Sequence, residues 1–105
     1  MKILFDQGTP VPLRLHLSGH IVETAYEKGW NQLKNGELLL AAEGDGFDVM
    51  ITTDQNLQYQ QNLDNRQIAL LVLNTTSWPV IRRSADLITA ALEKAGSERY
   101  QEIDF

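Results

Sequence analysis

Residues 68–73 read Ile-Ala-Leu-Leu-Val-Leu, an unbroken apolar run. A strand with one wet face alternates apolar and polar residues, so a continuous run of this length reads as a strand covered on both faces. It is strand-sized and far too short to cross a membrane. Ile3-Leu4-Phe5 and Val49-Met50-Ile51 are shorter runs of the same kind. Strands covered on both faces belong to parallel sheets with helices above and below, which confines the chain to α/β architecture.

Around these runs the signals alternate between strand and helix. Lys2 to Phe5 reads as a short buried strand ended by the polar turn Asp6-Gln7-Gly8. Thr9-Pro10 marks a helix start, with Thr as N-cap and Pro at the first helical position. Apolar residues at 11, 13, 15 and 17 alternate as in a strand, so that helix rests on the Thr-Pro signal alone. Ser18-Gly19 breaks the chain, His20 to Thr24 reads as a second strand, and Ala25 to Gly29 as a single helical turn. A helix is expected from Leu33 or Asn35 to Glu43, with Asn35 able to cap it and Leu38, Leu39, Ala41 and Ala42 forming an apolar face. Gly44-Asp45-Gly46 ends it, and Phe47 to Thr52 is the next strand. The polar stretch Asn56 to Arg66 reads as a short helix or an irregular connection, and Gln67 to Leu73 as a strand. Trp78-Pro79 opens a long helix through Lys94, and the tail after Gly96 can add a short edge strand.

A chain of 105 residues supports one core, so the expectation is a single α/β domain over 1–105, with a mainly parallel sheet and helices on both faces. There is no cysteine, which excludes disulfides, zinc–thiolate sites and a cysteine nucleophile. No targeting segment is visible, and a cytoplasmic location is the expectation. The net charge of −5 argues against a module that grips nucleic acid through a basic face. It does not exclude an enzyme whose metal ions supply the positive charge. No Gly-rich phosphate loop follows any strand, and no Gly-x-Ser-x-Gly elbow is present.

Two of the apolar runs empty into aspartates, Asp6 in ILFDQG and Asp54 in VMITTDQN. In open α/β sheets, residues just past the carboxyl ends of neighbouring strands meet in the crevice where such folds bind ligands. Two carboxylates there would begin a Mg²⁺ or Mn²⁺ site; each alone is explained as well by capping a turn. Glu37, in the first turn of the helix before the Asp54 strand, is the natural third carboxylate, although the helix dipole also favours an acid there. Asn56 can hold a metal-bound water or simply form a turn, and Lys34 can meet a phosphate or lie in solvent. Asp45 and Asp48 sit at the entry edge of the strand and read as solvated. His16 and His20, separated by Ser18-Gly19, read as surface or packing residues. Trp30 and Trp78 read as partial core residues.

The combination ILFDQG-x-P, then LKNGELL, then FDVMITTDQNLQYQQNL resembles the small PIN-like proteins, a family described as a domain of unknown function. They are similar to the VapC-type toxin nucleases and to the C-terminal domain of Mut-7-like exonucleases. The resemblance implies a PIN-like three-layer sandwich whose acidic cluster binds Mg²⁺ or Mn²⁺ to hydrolyse single-stranded RNA. Carried over by position, the metal-binding and catalytic acids are Asp6, Glu37 and Asp54; Lys34 and Asn56, read from their own places in the chain, are the candidate substrate contacts. Many relatives have asparagine where this chain has Gly8, and full PIN domains carry a fourth acid near Asn56; both departures thin the metal shell.

The expected function is a metal-dependent endoribonuclease, possible toxin of a toxin–antitoxin pair, with a small antitoxin or a second copy as partner. The alternative is a PIN-like interaction module weakened in catalysis, which Gly8 and Asn56 favour. A phosphatase-like or response-regulator-like α/β domain ranks last, because it predicts an acidic pair after the first strand and a lysine after a late one, and no such lysine follows Leu73.

Overall fold

In the computed structural model, which describes residues 1–56 and 67–105, both faces of the central strands are buried. Strands β1 (Lys2–Phe5), β2 (Ile21–Thr24), β3 (Val49–Thr52), β4 (Ala69–Leu73) and β5 (Tyr100–Ile103) form one all-parallel sheet in the order β2-β1-β3-β4-β5. Alternate residues feed two separate cores. Ile3, Phe5, Val49, Ile51, Leu71 and Leu73 belong to one, and Leu4, Met50, Leu70 and Val72 to the other. The first is covered by a 3₁₀ helix (Val11–His16) and by helices α2 (Trp78–Arg83) and α3 (Ala85–Lys94), through Leu13, Ile81, Ile88 and Leu92. Helix α1 (Asn35–Gly44) covers the second through Leu38, Leu39 and Ala42, with Trp30 and Phe47 in edge-to-face contact beside it. The result is a three-layer α/β fold, and the continuous apolar runs follow from coverage on both sides.

Several local expectations are corrected. The segment after Pro10 is helical but 3₁₀, closed by Leu13 N–H donating to the Pro10 carbonyl at 3.1 Å. The Thr9 hydroxyl does not cap it and donates instead to the Ile51 carbonyl at 3.0 Å. Of the alternating apolar residues there, only Leu13 and Leu17 are buried, a spacing of one helical turn, while Val11 and Leu15 are exposed. In α1 the cap position falls on Lys34, with Asn35 already helical. The long helix expected over 78–94 is broken at Ser84, whose φ of −129° leaves the helical region. A straight helix of that length would run about 25 Å against strands of about 13–17 Å, and the break lets the chain follow the sheet. The tail strand after Gly96 is present as β5. The connection read over Asn56 to Arg66 lies, beyond Asn56, outside the described residues.

Asp48 is exposed, as expected, and Asp45 is half-buried; both also tie down the amino-terminal edge of the sheet. Asp45 pairs with Lys2 Nζ at 3.0 Å and Lys28 Nζ at 2.9 Å, and Asp48 accepts from the Lys2 N–H at 2.8 Å. The hydrogen bond from Lys28, then that from Lys2, holds the Asp45 carboxyl below its ordinary value. Among the described residues, no helix is long and apolar enough to cross a membrane.

Candidate active site

Strands β1 and β3 are neighbours, with Phe5 opposite Ile51, so the residues that follow them emerge side by side. Asp6 extends the ladder by one step, its N–H donating to the Ile51 carbonyl at 2.9 Å. In the order β2-β1-β3-β4-β5 the chain reverses its direction of winding between β1 and β3, and ligand crevices of doubly wound sheets open at that point. Asp6 and Asp54 therefore flank the position where this topology places a ligand.

One buried hydroxyl joins the two aspartates. Thr52 Oγ1 donates to Asp6 Oδ2 at 2.8 Å and accepts from the Asp54 N–H at 3.0 Å. Asp6 Oδ1 accepts from the Gln7 N–H at 2.8 Å, and Asp54 Oδ1 accepts from the Asn56 N–H at 3.0 Å. Each oxygen so engaged keeps a second lone pair. Burial pushes the Asp6 carboxyl above its ordinary 3.8; the bonds from Thr52 and Gln7 pull partly against this, and the nearby charge of Asp54 pushes further up. A half-buried carboxylate beside a second carboxylate favours a bound cation.

Over the pair lies a cavity of about 330 Å³ lined by Asp6, Gln7, Asn31, Leu33, Lys34, Leu38 and Asp54. The start of α1 thus reaches the crevice, through Lys34 and Leu38. Glu37 is exposed and is not among the lining residues. Among the described residues, no three acidic or histidine side chains stand close enough to share an ion. Asn56 is exposed, and its main chain closes an Asx turn on Asp54. His16 packs edge-on against Trp78, and His20 Nδ1 lies 3.1 Å from the amino terminus, both away from this crevice.

Of two further residues of the site, Thr52 is not read from the sequence, and Gly8 is read there only for its bearing on the metal shell. Thr52 is the more important: it is fully buried, and among the described residues its hydroxyl is the only link from the Asp6 carboxylate to Asp54, which it meets at the backbone N–H. A threonine two positions before a strand-end aspartate is the signal that could have found it. Gly8 has φ +92°, and a β-carbon on it would stand 2.6 Å from Thr53 Oγ1. Glycine at this position thus has a backbone reason independent of metal binding. Comparison with protein-family models, curated proteins and solved structures finds no match in any of the three.

Proposed function

We propose that this chain is a divalent-metal-dependent endoribonuclease of the PIN-like class that hydrolyses single-stranded RNA. The observation that carries the reading is the coupling of Asp6 and Asp54 through Thr52 beside an open cavity at the switch point. Mg²⁺ keeps several waters and commonly takes only one or two protein carboxylates together with substrate phosphate, so the aspartate pair is a sufficient protein share. The donors are all oxygen, which suits Mg²⁺ and Mn²⁺. Asp6 and Asp54 would hold the ion, with Thr52 fixing the Asp6 carboxylate and the Asp54 backbone, and the Asn56 N–H holding the Asp54 carboxylate. When bound, such an ion polarises a phosphoryl oxygen and lowers the pKa of a water. Lys34 and the first turn of α1 present positive potential to a phosphate in the same cavity. In this reading Glu37, exposed and off the lining, contributes less than either aspartate.

The test is incubation of labelled single-stranded RNA with the purified protein, with and without Mn²⁺. Metal-dependent cleavage is expected, reduced about a hundredfold or more in Asp54→Asn and less in Glu37→Gln. Equal background in wild type and Asp54→Asn would sink the nuclease and favour the interaction module. A second reading, a response-regulator-like phosphoacceptor, is favoured by the strand order. It is opposed by Gln7 in place of a second acid after β1 and by Asn74-Thr75-Thr76-Ser77, without lysine, after β4. Transfer of phosphate from acetyl phosphate to Asp54 would establish it.

A further inference from the structure

Asp6 and Gln7 line not one cavity but two. The second, about 310 Å³, is also lined by Phe5, Gly8, Thr9 and Val11 and by Thr24, Ala25 and Tyr26 at the end of β2. It takes in the end of β2, whereas the first takes in Asp54 after β3 and the segment leading into α1. The Gln7 side chain donates to the Asn31 carbonyl at 3.1 Å and so ties the segment after Tyr26 across the end of β1.

Tyr26 stands out on this surface. It is 75% exposed, although an aromatic ring of this size ordinarily buries much of its area. No hydrogen bond or ring contact engages its side chain among the described residues, while its backbone carbonyl closes the turn to Gly29 N–H at 3.0 Å. An exposed aromatic ring beside a phosphate-handling crevice is the element that stacks on a base in single-strand recognition, and it does so with little regard to sequence.

We infer that the two cavities form one groove for a single-stranded polynucleotide, with Tyr26 stacking on a base to one side of Asp6 and Lys34 meeting a phosphate to the other. This rests on the nuclease reading for the identity of the ligand but not for the role of Tyr26. Lys34 is the only cation among the described residues lining the two cavities, and the net charge of −5 supplies no basic face, so affinity for the strand depends on stacking. Tyr26 is thus a substrate-positioning residue, distinct from the aspartates.

The experiment measures fluorescence anisotropy of a labelled oligoriboadenylate of about 12 nucleotides. Ca²⁺ replaces Mn²⁺ so that binding is read without turnover, and cleavage with Mn²⁺ is followed in parallel. Tyr26→Ala should weaken binding about tenfold, and Tyr26→Phe should stay within about twofold of wild type. An abasic oligomer of the same length should bind wild type and Tyr26→Ala equally, which a merely structural role for Tyr26 would not produce. If Tyr26→Ala binds the oligoadenylate as wild type does, the inference is overturned, whatever the cleavage result. If binding depends on Tyr26 but no Mn²⁺-dependent cleavage occurs, the groove stands and the nuclease reading falls. If wild type binds no oligomer, the groove is overturned.

Discussion

Gly8 is held where an L side chain is strained twice over, by its positive φ and by the nearby Thr53 hydroxyl. Gly8→Ala should destabilise the fold by about 2 kcal/mol, read as a lower Tm. Adding Thr53→Ala should recover only part of the loss, because it removes the contact and leaves the backbone strain. Asparagine at this position meets the same β-carbon contact. Asp6 carries a different cost. Its folded pKa lies above the ordinary 3.8, so between the two values the folded state holds more proton than the unfolded state. Stability from this group therefore falls as pH rises through that window and stays lower at neutral pH. In chelator, Asp6→Asn should melt above wild type near neutral pH, and the gap should close as pH falls toward about 4. A gap independent of pH would show that burial of the charge is not its origin.

Among the elements, the 3₁₀ helix is the clearest case of packing overriding pattern. Its apolar residues alternate as a strand would, yet Leu13 is fully buried in the core under β1 and β3 while Leu15 is 83% exposed. Urea unfolding should show Leu13→Ala losing about 3 kcal/mol and Leu15→Ala staying within about 0.5 kcal/mol of wild type. A strand reading predicts similar costs for both, since 13 and 15 would share a face. The same contrast explains what the sequence could convey about elements. The runs at 3–5, 49–51 and 68–73 are legible because burial on both faces leaves no polar position. The break at Ser84 is not, because apolar spacing at 81, 85, 88, 91 and 92 suits one helix as well as two.

For the whole molecule, the strand order decides which side chains meet. It brings Asp6 and Asp54, 48 positions apart in the chain, onto one buried threonine. A cation that binds the folded pair and not the unfolded chain must stabilise the fold by linkage, about 1.4 kcal/mol at ten times its Kd. Mn²⁺ should therefore raise the Tm of wild type and leave those of Asp6→Asn and Asp54→Asn unchanged; an equal rise in all three would place the ion elsewhere. By itself the sequence determined the α/β class, the central strands and both aspartates, since continuous burial and strand-end polarity are local properties written in residue order. It also suggested Glu37 as their partner. Only the tertiary structure decided that α1 brings Lys34 and Leu38 to the cavity and leaves Glu37 off its lining, that Thr52 joins the acids, and that Tyr26 stands on the other side of Asp6. Those outcomes depend on how a helix is rotated and how strands are ordered, which are set by packing between segments far apart in the chain.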